Sequence, residues 1–412
     1  MNKLINLIFD PTQPFDYEKK ILYYLKKKYC ISLIRDISES ISIKSSDLPT
    51  TSNLIIPTSG SSGTKSYCFH TEKNLDKSAQ STKLWVEEQG FTLNKCHIYN
   101  ALPMYHIGGL LPWWRAKLWG AKYTWVEPKS VHNSENLYKY LSQKETLDSV
   151  KLLSLVPTQL QRIINSSLGI NWLKTFNIIW VGGSSLSERT SHECKKHKIN
   201  LSPCYGSTET SAMITALPPK DFLNNKNGVG YPLDGVQINI NDQNLLRIKS
   251  NRLATHILKD GYISQIKKDN NWWLTSDFAE IQQKGRKKFL FIKGRVDNGI
   301  NSGGEVIFLE DIEKKLINIV KKESMPIALI YLSFKKDEEW GSKIFALIKF
   351  KDDVMETDFL KLVSHLQSLL SDWRPSEKPR NWYVCNNLKK NECGKWDKAF
   401  WHNWINNNDP IV

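Results

Sequence analysis

A chain of 412 residues exceeds what one hydrophobic core supports, which excludes a single small binding module and predicts two or three domains. With 40% hydrophobic and 24% charged residues, the composition also excludes disordered, collagen-like and coiled-coil chains. Basic residues outnumber acidic ones by 57 to 42, a formal charge of +15, but the lysines are scattered through the chain, so the surplus reads as a solvated basic surface.

In chain order, the apolar N-terminal stretch is broken by Asn6 and ended by Asp10, too short for a secretory h-region. Leu54, Ile55, Ile56 and Pro57 then lead into Thr58, Ser59, Gly60, Ser61, Ser62, Gly63, Thr64, Lys65 and Ser66. A loop of hydroxyls, two glycines and a lysine suits phosphate oxygens: glycines let backbone N–H groups approach, hydroxyls donate, and the ammonium supplies charge. It is not a Walker A motif, because Thr64 separates Gly63 from Lys65. The longest apolar stretch, residues 98–114, holds Pro103, His106, Gly108, Gly109 and Pro112, which argues against a membrane-spanning helix.

An apolar run at 150–156 followed by Pro157 and helical spacing of Leu160, Ile163 and Ile164 predicts a strand and a helix. A second run, 176–181, opens onto Gly182, Gly183 and Ser184. These units predict an α/β fold with parallel sheets, whose ligands sit beyond the carboxyl ends of the strands. Tyr205, Gly206, Ser207, Thr208 and Glu209 place a carboxylate among hydroxyls, a reasonable donor set for Mg²⁺. Asp277 follows Thr275 and Ser276 and is suited to ribose hydroxyls; Gly294, Arg295, Val296 and Asp297 run on to Ser302, Gly303, Gly304 and Glu305; Gly394 and Lys395 lie near the C-terminus.

Near Gly294 the character changes. A helix with Glu310 and Asp311 in its first turn, two apolar runs at 327–334 and 344–350, a second helix around 359–370 and a short run at 382–384 predict a small α+β domain over 295–412, following a large domain over 1–294. Seven cysteines without a C-x-x-C pair suggest neither zinc nor a disulfide framework and fit a reducing cytoplasm. No G-x-G-x-x-G or G-x-S-x-G occurs, which lowers dinucleotide-oxidoreductase and α/β-hydrolase readings.

Taken together and in order, these segments resemble the adenylate-forming superfamily of acyl-CoA synthetases, adenylation domains and luciferases over nearly the whole chain. The loop at 58–66 looks like its phosphate loop, although without a proline before the lysine. Residues 205–211 look like its Y-G-x-T-E segment, 294–297 its G-R-x-D hinge and Lys395 its catalytic lysine. Residues 154–160 (Ser-Leu-Val-Pro-Thr-Gln-Leu), the run Pro103, Met104, Tyr105, His106 with Arg115 nine residues on, and Gly303, Gly304 and Glu305 resemble the branch of o-succinylbenzoate:CoA ligases of menaquinone and phylloquinone biosynthesis.

The resemblance implies ATP, Mg²⁺ and coenzyme A as cofactors and a small carboxylic acid as substrate, with no nucleic acid or integral membrane partner. It implies that Lys395 bridges the carboxylate and the α-phosphate and that the 58–66 loop holds the outer phosphates. Glu209 with Thr208 would hold the metal. Gly182, Gly183 and Ser184 border the adenine, with Tyr205 offering a ring face; Gly206 belongs to the same nucleotide-binding set, and Asp277 and Arg295 take the ribose. His106 stands at the acyl pocket mouth, Arg115 anchors a second carboxylate and Asp297 is the hinge; Gly303 and Gly304 join the substrate-binding set. The residues leave open another aryl or acyl substrate, loading of a carrier protein, and a catalytically silent nucleotide-binding relative.

Overall fold

A computed structural model describes residues 3–50, 52–58, 66–137, 140, 149–285, 287–296, 299–302, 305–389 and 396–412. The chain divides into two compact units, Met1–Lys293 and Gly294–Val412.

In the first unit, β1 (Leu4–Ile8), β2 (Cys30–Ile34), β3 (Leu54–Pro57) and β4 (Ser66–His70) start one sheet. The parallel pairs β1–β2 and β2–β3 span long connections, whereas β3 and β4 pair antiparallel. A second sheet has the parallel core β5 (Cys96–Asn100), β6 (Lys122–Trp125), β7 (Val150–Leu155), β8 (Ile178–Val181) and β9 (Leu201–Ser207), with β10 (Ala212–Ala216) and β11 (Tyr231–Pro232) added antiparallel at one edge. Its order is β11-β10-β9-β8-β7-β5-β6. A third sheet joins β12 (Val236–Ile240) and β13 (Leu245–Ser250) to two later strands. The hairpin of β14 (His256–Lys259) and β15 (Tyr262–Gln265) extends the first sheet through β4, while β16 (Trp273–Lys284) and β17 (Lys287–Arg295) complete the third. The expected strand at 150–156 and helix after Pro157 are β7 and the helix Pro157–Ile163.

Two helices, Glu72–Glu88 and Ile107–Trp119, pack between the first two sheets. Leu75 and Ala79 of one, with Leu110, Leu111 and Trp114 of the other, join the first sheet's core. Trp85, Val86 and Ala116 join Ile98, Leu152, Ile178 and Trp180 on the second sheet. The far face of that sheet, through Tyr99, Leu153, Ile179 and Leu201, is covered by helices contributing Leu160, Trp172 and Phe222. Covered on both faces, the central strands read as continuous apolar runs. The Trp113–Trp114 pair is core packing, with Trp114 1% exposed and its indole N–H donating to Asp76. No helix among the described residues is long and apolar enough to cross a membrane.

In the second unit, β18 (Gly299–Ser302) and β19 (Glu305–Phe308) form a hairpin. The long pair β20 (Ile327–Asp337) and β21 (Gly341–Phe350) is antiparallel, and β22 (Asn381–Val384) joins β21 in parallel. Alternate residues face opposite ways: Ile330, Leu332, Ile344 and Ala346 meet the helices Leu309–Lys322 and Phe359–Ser368, while Tyr331, Phe345 and Leu347 meet Trp401 and Ile405 of the helix Lys398–Asn406.

Within the first unit, Glu18 on the helix Pro14–Lys26 has a buried Oε1 without a hydrogen-bond partner. Burial lifts its carboxyl to about 7, partly offset by the Trp113 indole. The folded state therefore binds this proton more tightly than the unfolded chain, and the Glu18 contribution to stability falls as pH rises from about 4.5 to about 7. Urea titrations should show Glu18→Gln more stable than the parent by about 2 kcal/mol at pH 8, with the difference gone near pH 4.

Candidate active site

The parallel pairing of β5, β7, β8 and β9 brings four carboxyl-terminal loops to one edge of the second sheet. Two side chains tie the first pair of loops together. Asn100, ending β5, accepts from the Leu102 N–H at 3.0 Å and donates to the Gly109 carbonyl at 2.9 Å. Gln159 accepts from the Val156 N–H at 3.2 Å and donates to the Ala101 carbonyl at 2.9 Å, so the Val-Pro-Thr-Gln run both starts its helix and braces the β5 loop. Only the fold shows that Asn100 and Gln159 have these roles.

His106 occupies the N-cap position of the helix Ile107–Trp119, half-buried, with its ring 4.2 Å from that of Tyr105. Burial lowers its pKa, with Glu39 opposing and Arg35 assisting, so the imidazole is neutral at pH 7. The following turn requires a glycine at 109, where a Cβ would lie 2.1 Å from the Pro103 carbonyl oxygen.

Beyond β8, Gly183 takes a φ of +88° and, like Ser184, is exposed. At Gly182 a Cβ would meet the Cys204 sulfur of the neighbouring strand at 2.9 Å, so the neighbour in the sheet sets a steric limit there. Gly206 is under a similar constraint, because a Cβ there would stand 2.1 Å from the Ala212 carbonyl oxygen where the β9–β10 ladder approaches its bulge.

The end of β9 and the turn after it collect partners from four other stretches of chain, β3, β4, the residues before β14, and β16. The half-buried Tyr205 donates its hydroxyl to Asp277 at 2.6 Å across 72 residues of sequence, and the Asp277 N–H donates to Thr275 Oγ1 at 3.0 Å. Burial raises the Tyr205 phenol, reinforced by the Asp277 and Glu209 charges, so it stays a donor. Thr208 donates to the Pro57 carbonyl at 3.4 Å, beside Thr58, whose N–H donates to Ser66 at 2.8 Å. His70 lies 2.9 Å from the Thr208 carbonyl, and the Ala254 N–H donates to the Glu209 carbonyl at 2.7 Å. The Glu209 side chain is half-buried and has no ion pair among the described residues. It is near enough to raise the Cys68 thiol, second to burial. Among the described residues no cluster of three or more His, Cys, Asp or Glu could bind a metal alone. A cation at Glu209 would therefore share its coordination with substrate oxygens and water, as Mg²⁺ does.

Arg115 points into the layer between the helix Ile107–Trp119 and the second sheet. It is 3% exposed, its guanidinium lies 5.2 Å from the Trp180 ring centre, and its Nε has no partner. Burial lowers it to about 10, opposed by Cys204. Arg252, unmarked by any motif in the sequence, is 1% exposed, donates to the Met213 carbonyl at 2.6 Å and is lowered to about 9, first by burial and then by Arg115. Neither arginine has a carboxylate partner among the described residues, an arrangement that costs several kcal/mol unless an anion or solvent compensates.

Thus Thr58, Gly182, Gly183, Ser184, Thr208 and Glu209 lie in loops of the first unit, Tyr205 and Gly206 at the end of β9 and Asp277 within β16, with His106 capping and Arg115 on the helix Ile107–Trp119. Arg295 ends β17 and lies in the second unit. Ser59, Gly60, Ser61, Ser62, Gly63, Thr64, Lys65, Asp297, Gly303, Gly304 and Lys395 lie outside the described residues.

A unit of three sheets whose strands and adjoining loops gather hydroxyls, a tyrosine–aspartate pair and a carboxylate with no ion pair among the described residues has the features of a nucleotide-binding enzyme. The chain belongs to the AMP-binding enzyme family, which it matches over residues 32–252. It is similar to the 2-succinylbenzoate–CoA ligases of Oceanobacillus iheyensis, at 26% identity over 71% of this chain and 58% of that protein, and of Listeria monocytogenes, at 26% over 87% and 71%. The chain thus spans less than two thirds of the first relative's length. Its fold is that of Escherichia coli MenE with a bound analogue of OSB-AMS (TM-score 0.70, 18% identity, 99% of this chain and 88% of that one). It is likewise that of Bacillus subtilis o-succinylbenzoate CoA synthetase in complex with the acyl-adenylate OSB-AMP (TM-score 0.67, 18% identity, 100% and 89%).

Removing the Tyr205 hydroxyl takes away the donor that orients Asp277. Tyr205→Phe should weaken AMP binding about tenfold by calorimetry, while the melting temperature falls by no more than about 3 °C.

Proposed function

We propose that the protein is an ATP-dependent acid:CoA ligase acting on o-succinylbenzoate. The observation that carries the choice of acid is the buried Arg115 guanidinium, with an unpartnered Nε and no carboxylate partner among the described residues. A diacid has one carboxylate to activate and a second to anchor, and Arg115, with Arg252 nearby, supplies the cation that a fatty-acid pocket lacks. The names of the similar ligases support the same acid. Both the ATP–magnesium complex of the B. subtilis enzyme (TM-score 0.63) and the OSB-AMP complex have this fold.

In the first half-reaction a carboxylate oxygen of the acid attacks the α-phosphorus of ATP, the bond to the bridging oxygen breaks, and pyrophosphate leaves. In the second, the CoA sulfur attacks the acyl carbon and AMP leaves. The protein's task in the first step is to offset converging negative charge. Residues 58–66 hold the outer phosphates, and Lys395 bridges the attacking carboxylate and the α-phosphate. Mg²⁺, held by Glu209 beside Thr208, neutralises phosphate charge when bound. Tyr205 and the loop of Gly182, Gly183 and Ser184 border the adenine. Asp277 and Arg295 take the ribose hydroxyls, and neutral His106 stands at the pocket mouth without adding charge. Asp297 is the hinge about which the domain 295–412, carrying Lys395, reorients between the half-reactions, and Gly303 and Gly304 contribute to the acid site. The free thiols described suit a reducing, cytoplasmic location.

Purified protein with ATP, Mg²⁺ and CoA should convert o-succinylbenzoate to its CoA thioester, with benzoate and a medium-chain fatty acid turned over at least about a hundredfold less efficiently, read by product mass. Absence of ATP–pyrophosphate exchange with every acid would instead indicate a nucleotide binder without ligase activity. Lys395→Ala should abolish adenylate formation yet retain thioester formation from preformed acyl-adenylate; equal loss of both would refute that division. Arg115→Met should raise KM for o-succinylbenzoate about a hundredfold while changing KM for ATP less than about threefold.

A further inference from the structure

The backbone immediately after Glu209 is strained. Ser211 and Ala212, neither of them glycine, take φ values of +53° and +75°. Such a residue is conformationally costly and persists only where its surroundings over-determine it. Here the surroundings are mostly buried polar contacts. The Thr210 hydroxyl donates to the Ala212 carbonyl at 2.7 Å, and Ser78 donates to the Ser211 carbonyl.

His70 grips the same turn from the other sheet. It ends β4, the strand that leaves the 58–66 loop, and is completely buried. Nε2 lies 2.9 Å from the Thr208 carbonyl, which can only accept, so Nε2 carries the ring proton. Nδ1 lies 3.1 Å from the Ser211 hydroxyl, whose single proton is shared with the Arg252 carbonyl at 2.7 Å. One ring therefore holds the turn on both sides of Glu209, one residue before it and two after.

We propose that His70 is a positioning residue: by bridging Thr208 and Ser211 it fixes the strained turn that aims the Glu209 carboxylate at the magnesium ion of MgATP. This rests on the role given to Glu209 above. His70 touches neither nucleotide nor metal; it sets the direction of a carboxylate that does. Because β4 also leads out of the 58–66 loop, the same strand relates the phosphate-binding segment to the metal-binding turn.

The test compares ATP affinity by calorimetry with and without Mg²⁺ in the full-length parent, His70→Leu and His70→Gln, alongside ATP–pyrophosphate exchange. His70→Leu should lose about tenfold of the gain in affinity that Mg²⁺ confers, with metal-free ATP affinity unchanged within about twofold. It should raise KM for MgATP while leaving KM for the acid alone. His70→Gln, whose amide can still donate to Thr208, should recover part of the loss, and it serves as the reporter if the leucine variant does not fold. Equal loss of ATP affinity with and without Mg²⁺, or an unchanged Mg²⁺ gain in both variants, would overturn the proposal. A parent that binds MgATP yet activates no acid would refute the ligase reading, while the calorimetric comparison would still decide the role of His70.

Discussion

The parallel register of β5, β7, β8 and β9 is the constraint on which the rest of the molecule depends. Each strand is buried on both faces, so its polar residues are expelled to the loops, and parallel pairing delivers the following loops to one edge. Ala101 to His106, Val156 to Gln159, Gly182 to Ser185 and Tyr205 to Glu209 become neighbours for that reason, although they span more than a hundred residues. Steric limits follow from the same packing: Gly182 faces Cys204 and Gly206 faces Ala212, leaving room at neither for a side chain.

Around this edge the structure spends buried polar groups in two ways. The Tyr205–Asp277 pair and the His70–Thr208–Ser211 bridge are satisfied networks that hold shape. The Arg115 and Arg252 guanidiniums are the opposite case, buried cations in which Nε of Arg115 and Nε and Nη1 of Arg252 have no hydrogen-bond partner among the described residues. A satisfied network stabilises the apoprotein; an unsatisfied cation costs it stability and favours whatever anion can compensate it. On the proposed function, that distinction separates the parts that organise nucleotide from the part that selects an acid.

The second unit has its own core, with both faces of the β20–β21–β22 sheet covered. The apolar residues on those two faces pack against helices of the same unit.

Much of the architecture was legible in the chain because local chemistry repeats there. Apolar runs gave β7, β8, β20 and β21, the acidic first turn gave the helix Leu309–Lys322, and hydroxyl-rich glycine loops marked where strands end. The hairpin β18–β19 and the helix Lys398–Asn406 carried no such signal, since the hairpin is short and the helix is defined by aromatic residues that need a sheet to cover. Local pattern could mark Tyr205, Glu209 and Asp277 as polar residues beside apolar runs, but could not join Tyr205 to Asp277 or His70 to Thr208. Those contacts cross 72 and 138 positions of sequence. A hydrogen bond depends on separation in space, and only the packing of the first unit's sheets against one another sets that separation.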